Sequence, residues 1–458
     1  MSRAPGPVES AYEASISCGF VAPKALYVHV PFCAARCAYC DFHSVPSCGV
    51  GSAAMERMVD ATLKNAAYLV RRFCPDGPEF DTVYVGGGTP TILRPSLLGR
   101  LLDGIASICG SPPLEWTVEA NPESLDEATL ETLLRRPVTR LSIGVQSLDA
   151  ETLILLGRPG GVSDNERAIR LASASGLALS ADLMTALPRR PGCMEPDSGV
   201  LAAEASFLAD SGFRHLSVYD LVPEEGTAMT AMLDRGELRA ADEDAAYEAR
   251  TRMEEALAGK GMRRYEISNY AVRGSESLHN GAYWAMRSYL GSGSGAVSTL
   301  RVSDSQAFPG QALPGLAGAG LRIEQSRDFA AYIADPVRSA IETPISPRDS
   351  AFETIMMAFR TSRGLDCADF YRRFGIEARD LIGESLLKWS DFLVRDRSDG
   401  SETGVADGNS GTFLALGGRG MDIANRFLVD CLEELEKRFP GGAGPAGSVK
   451  ETHVGQIP

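Results

Sequence analysis

Short runs dense in valine, leucine, isoleucine and aromatic residues recur through the first half of the chain. They are ALYVHV (25–30), DTVYV (81–85), EWTVE (115–119), RLSIGV (140–145), LALSADLM (177–184) and HLSVYDL (215–221). Their length and composition predict strands. Between them lie segments such as 53–73 and 125–135, whose apolar residues fall near helical spacing. Strand alternating with helix predicts parallel βαβ units. About six units make an incomplete (β/α)6 barrel rather than the eight of a closed one. In barrels of this kind the chemistry sits at the carboxyl ends of the strands, and each run here ends in a distinctive polar motif.

The pattern changes near residue 300. FPGQALPGLAGAG (308–320) is rich in Gly, Ala and Pro and reads as loop. From 347 to 395 and again at 418–438 the spacing turns helical, with Phe352, Ile355, Met356 and Phe359 on one face and Phe427, Cys431, Leu432 and Leu435 on another. The stripe containing Met356 is read as core. The expected organisation is a disordered N-terminal extension (1–22), the partial barrel (23–300), a linker (301–345) and a smaller, mainly helical C-terminal domain (346–438). A flexible insertion (397–411) interrupts that domain, and a disordered tail (439–458) follows it.

Charge and composition narrow the function classes. The 458 residues carry a formal net charge of -15, which argues against a nucleic-acid-binding face built on clustered Lys and Arg. No apolar run approaches the roughly 18 residues that a membrane span needs. The N-terminus lacks a cationic start followed by an apolar core, so no signal peptide is expected. Of ten cysteines, seven (18, 48, 74, 109, 193, 367, 431) are scattered without paired spacing. That pattern suits a reducing compartment, and the expected location is the cytoplasm.

The other three stand together in HVPFCAARCAYCDF (29–42), as Cys33, Cys37 and Cys40 with spacing C-x3-C-x2-C. Three thiols in eight residues after a strand point to metal rather than packing. Zinc wants a fourth ligand, for which His43 or Cys48 is the nearest candidate. The preferred reading is a [4Fe-4S] cluster whose fourth iron keeps an open position for a chelating small molecule.

With Tyr39 before the third cysteine, this triad resembles the radical S-adenosylmethionine (SAM) superfamily. The resemblance implies that the amino and carboxylate groups of SAM chelate the open iron, and that an electron from the cluster can split the sulfonium. Further motifs resemble the anaerobic coproporphyrinogen III oxidase family: YVGGGTPTIL (84–93), VEANPESL (118–125), SIGVQSLDAETLILLGR (142–158), ADLM (181–184), YDLVPEEGTAM (219–229) and RYEISNYAVRGSESLHNGAYW (264–284). The likeness covers about residues 24–300, and FRTSRGLD (359–366) with the last helix extends it to about 435. By it, Tyr27, Tyr39, Gly87, Gly88, Thr89, Glu119, Gln146, Arg158 and Asp182 match SAM-site positions. Carboxylates such as Glu119 and Asp182 suit ribose hydroxyls or the ammonium, and Arg158 suits the SAM carboxylate.

The family divides at residue 42. The oxidases resemble C-x3-C-x2-C-x-C, whereas this chain has Phe42 in place of the last cysteine. CDF together with HNGAYW (279–284) is similar to the HemW subfamily, which implies a heme chaperone that passes heme to acceptor proteins such as respiratory enzymes. His279 is then the candidate axial ligand, since imidazole is a common heme ligand. His29 and His215, within strand runs, are read as structural. A coproporphyrinogen III oxidase and another radical SAM enzyme, such as a methyltransferase, stay open as alternatives. Cluster-dependent dimerisation is compatible with the family. The chain departs from the family pattern at Gly160 and Val297, where histidines are usual, and in DLMTALPRR (182–190).

Overall fold

The computed structural model of the protein describes residues 19–193, 197–302, 316–397 and 412–439. Most of the expected N-terminal extension, nearly all of the 397–411 insertion, and the tail beyond Phe439 lie outside the described residues.

All six predicted runs form strands: β1 (Ala25–Val30), β2 (Thr82–Gly87), β3 (Glu115–Ala120), β4 (Arg140–Gln146), β5 (Ala178–Thr185) and β6 (His215–Asp220). They pair in chain order, each parallel to the next. Helices α1 (Ser52–Phe73), α2 (Pro95–Cys109), α3 (Glu127–Leu134), α4 (Ala150–Leu155), α5 (Val162–Ser173) and α6 (Val200–Asp210) lie in the crossovers. β1 is buried along its whole length because a strand in the middle of a covered parallel sheet has no wet face. Leu26, Val28, Val83, Val85, Trp116 and Val118 pack beneath the helices in the main core. Asp126 and Asp149 start α3 and α4 by accepting the amides of Thr129 and Thr152.

Beyond β6 come α7 (Ala228–Asp234), α8 (Glu243–Gly259), β7 (Met262–Arg264), β8 (Asn269–Val272), α9 (Leu278–Trp284), β9 (Tyr289–Ser292) and β10 (Val297–Arg301). β9 pairs parallel with β1, adding a seventh parallel strand. Its YLGS sequence carries no apolar alternation, so only long-range pairing reveals it. Residues 301–345 were expected to be a linker. Their described part instead contains β11 (Gly320–Glu324), α10 (Phe329–Ala334) and β12 (Ile341–Ile345), which continue the sheet antiparallel from β10. Short, charged strands beside a Gly- and Pro-rich stretch have little local signature. The sheet order is β12-β11-β10-β9-β1-β2-β3-β4-β5-β6-β8-β7. Its two ends do not pair, so the barrel is open.

The C-terminal region is helical around its own core of Phe352, Ile355, Phe359, Phe427, Cys431 and Leu435, with Met356 packed at the margin. Unexpectedly, it also carries a small antiparallel sheet formed by Leu365–Asp366, Leu393–Arg397 and Thr412–Leu416.

Candidate functional site

The chain leaves β1 through Phe32–Cys33, which pair in parallel with Val45–Pro46 and close a loop over the carboxyl ends of the strands. Backbone bonds tie this loop down. Thr89 N–H donates to Phe32 O at 2.6 Å, Ala38 N–H donates to Leu156 O at 2.9 Å, and Met229 N–H donates to Ala38 O at 2.8 Å. The GGG turn after β2 lies directly beneath. A Cβ on Gly88 would sit 2.5 Å from Phe32 O, so only glycine lets the two backbones approach.

Cys33, Cys37 and Cys40 are free thiols on one wall of a single pocket. Two donors are aimed at their sulfurs: Thr89 Oγ1 lies 3.6 Å from Cys33 Sγ, and Arg158 Nη1 lies 3.6 Å from Cys37 Sγ. Burial pushes the Cys40 thiol up to about 12 and raises Cys33 as well. A bound metal must therefore displace protons. Among the described residues, no three His, Cys, Asp or Glu side chains are placed to hold one metal ion. His43 turns its Nε2 to Ser294 Oγ at 2.9 Å, and Cys48 is exposed. The set therefore fits a cluster, in which each thiolate bonds a different iron, better than zinc.

The opposite wall is acidic. Tyr84 OH donates to Glu119 Oε1 at 2.6 Å, and Gly87 N–H donates to Oε2 at 2.9 Å. Burial raises the Glu119 carboxyl to about 7, against those two hydrogen bonds and helped by Asp182. Burial likewise raises Asp182 to about 6, restrained by a hydrogen bond with Ser217 and by Arg158. Arg158 Nη2 donates to Gly144 O at 2.9 Å, and the guanidinium pairs with Glu123 at 3.6 Å. Gln146 ends β4 with a positive φ of 66°. Two carboxylates, one guanidinium and three thiols in one pocket suit a zwitterionic ligand placed beside a cluster.

Of the nine residues expected around SAM, Tyr39, Gly87, Gly88, Glu119, Gln146, Arg158 and Asp182 line the pocket. Two stand behind its wall. Tyr27 is buried and bonds His29 Nδ1 at 2.9 Å. Buried Thr89 accepts from Asn121 Nδ2 at 2.8 Å while donating to Cys33.

The strand-end motifs do not reveal the depth of the pocket. Tyr84, Thr117, Ser142, Ser180 and Ser217 line it below the carboxylates, and Asn280 of α9 lines its floor. Counting back in steps of two from Glu119, Gln146 and Asp182 would have found Thr117, Ser142 and Ser180, since alternate strand residues share a face. Thr117 Oγ1 and Asn280 Oδ1 are buried without a hydrogen-bond partner. A buried ion pair, Arg140 to Glu115 at 3.0 Å, anchors α9, whose first amides, Leu278 and His279, donate to the Glu115 carboxylate.

His279 is not presented as a heme ligand. It is 0% exposed, with Nδ1 bonded to Thr82 Oγ1 and Nε2 to Tyr283 OH, each at 2.8 Å. Burial pushes its pKa down to about 3, so the ring is neutral but has no free nitrogen. Tyr283 and Trp284 of the same motif are buried too. Of the departures from the family pattern, Gly160 lies against Glu123, whose carboxylate oxygens accept no hydrogen bond, and Val297 opens β10.

The sequence pattern of the Radical SAM superfamily matches residues 27–193, and that of the HemN C-terminal domain matches 345–398. The heme chaperone HemW of Bacillus subtilis is 32% identical over 419 residues, covering 88% of this chain and 99% of that one. The heme chaperone HemW of Escherichia coli is 32% identical over 368 residues, covering 80% and 89%. Among solved structures, the coproporphyrinogen III oxidase HemN of Escherichia coli superposes with a TM-score of 0.68 at 16% identity, covering 93% of each chain. The fold is therefore HemN-like.

Proposed function

The chain belongs to the HemW family of the radical SAM superfamily, and from that premise we propose that it is a heme chaperone, binding heme and passing it to acceptor proteins. The observation that carries this reading is the 32% identity to a heme chaperone across 99% of that protein's length. The likeness to the oxidase is one of fold.

In this proposal Cys33, Cys37 and Cys40 hold a [4Fe-4S] cluster, and the facing wall takes SAM. When bound, the pair supplies an open iron for chelation and a source of one-electron chemistry. Arg158 steadies the Cys37 thiolate and offers positive charge to a carboxylate. Glu119 and Asp182, once ionised, accept from an ammonium or from ribose hydroxyls. Gly88 lets the turn after β2 pack against the backbone of Phe32, next to Cys33. Acceptor proteins, with respiratory enzymes as one class, a cytoplasmic setting and a cluster-dependent homodimer belong to the same proposal. Among the described residues no helix is long and apolar enough to cross a membrane.

The test is heme titration of anaerobically reconstituted protein, run beside a coproporphyrinogen III assay on the same preparation. A stoichiometric heme complex with a Soret band, and no decarboxylated product, is expected. Protoporphyrinogen IX formed at a rate dependent on SAM and reductant would establish the oxidase instead.

A further inference from the structure

The HNGAYW segment forms α9, which closes the amino-terminal end of the open barrel, opposite the cysteine loop. From this floor a line of contacts runs to the acidic wall. The His279 ring is held at both nitrogens, by Thr82 of β2 and by Tyr283 one helical turn on. Its face stacks on the Tyr84 ring, with centroids 5.1 Å apart and planes inclined by 30°. Tyr84 in turn donates to Glu119 Oε1 at 2.6 Å. The other side of the tyrosine is filled as well: Tyr27 lies 6.2 Å from it, centroid to centroid. A Cβ on Gly86 would come within 2.7 Å of both the Tyr84 ring and the Glu119 carboxylate.

We propose that His279 is a positioning residue for SAM, setting Glu119 through the stacked Tyr84. The physical reason is rotamer control. A phenol hydroxyl holds a carboxylate in one orientation only if its ring cannot tilt, and a doubly hydrogen-bonded imidazole against its face removes that freedom. Glu119 then needs little ordering when the ligand arrives, which is where preorganisation adds affinity. The assignment rests on the SAM site proposed above, and it gives the HNGAYW motif a role that requires no iron contact.

The experiment measures SAM affinity, iron and sulfide content, heme stoichiometry and thermal unfolding for reconstituted full-length protein and its variants. His279→Ala should weaken SAM by roughly tenfold while retaining the cluster and the heme complex. Tyr84→Phe, which keeps the ring and loses the donor, should weaken it similarly. The double variant should be no worse than Tyr84→Phe alone, because both changes act through one hydrogen bond. Trp284→Phe, on the same helix, serves as the control for general loosening and should leave SAM affinity unchanged. If His279→Ala does not fold, His279→Gln and Tyr84→Phe carry the same comparison. SAM affinity within twofold of wild type in the His279 variant, or additive losses in the double variant, overturns the proposal. So does loss of heme with SAM affinity intact, which would restore His279 as a heme ligand. Wild-type protein that binds no SAM overturns the underlying site, an outcome distinct from unchanged variants of a binding protein.

Discussion

Arg158 Nη1 lies 3.6 Å from Cys37 Sγ, while its Nη2 donates to the carbonyl of Gly144 at 2.9 Å. One side chain thus links the cysteine loop to the wall of β4 across the mouth of the pocket. Its remaining partner is Glu123 at 3.6 Å, whose side chain is 14% exposed. Arg158→Ala should weaken SAM binding by about 1.5–3 kcal/mol, the range for a hydrogen bond to a charged group. It should also lower Tm by stranding Glu123. Adding Glu123→Gln should recover part of the Tm but none of the affinity, which calorimetry and equilibrium dialysis would separate.

The cysteine assignment predicts a sharp contrast. Cys33→Ala, Cys37→Ala and Cys40→Ala should each abolish most iron and sulfide bound on anaerobic reconstitution, since each thiolate supplies one iron bond. Exposed Cys48 has no place in the pocket, and Cys48→Ala should leave both unchanged. A site emptied by Cys48→Ala alone would refute the open-iron arrangement.

SAM affinity should depend on pH, through the acidic wall. Burial raises Glu119 to about 7 and Asp182 to about 6, and the ionised forms are the ones that hold an ammonium. Affinity should therefore fall as pH drops through 7 to 6, and Glu119→Gln should remove the upper part of that dependence. Stability of the cofactor-free protein runs the other way. With folded pKa values above the unfolded ones, the contribution is complete below about pH 4 and is lost as pH rises through 6 and 7. Titrations of binding and of urea midpoint on one preparation would test both signs.

Glu115 and Arg140 form an ion pair with side chains 6% and 7% exposed. Glu115 also accepts the first amides of α9, and Arg140 Nη2 donates to the carbonyls of Ser275 and Glu276. Glu115→Ala leaves a buried guanidinium without its counter-charge and the first two amides of α9 without their acceptor. A loss of about 3–5 kcal/mol is expected from denaturant unfolding. A loss below 1 kcal/mol would mean that the floor helix is held elsewhere.

The sequence alone determined the local features of this protein. Six strands were legible because their short runs are dense in β-branched, aliphatic and aromatic residues, and the cysteine triad because its ligands lie within eight residues. Glu119, Gln146 and Asp182 were legible as a set because each stands at or near a strand's carboxyl end, where such folds gather chemistry. What needed the tertiary structure was every relationship set by register between distant segments. β9 is a strand only because β1 lies beside it. Tyr27 and Thr89 fall behind the pocket wall rather than on it because packing, and not strand position, decides which side chain comes forward. Ser142, Ser180 and Ser217 look like ordinary polar positions until neighbouring strands pair in register and bring them to one pocket. His279 shows the limit most clearly. Its motif names a residue able to bind iron, but burial and hydrogen bonds with both Thr82 and Tyr283 decide what its nitrogens are free to do.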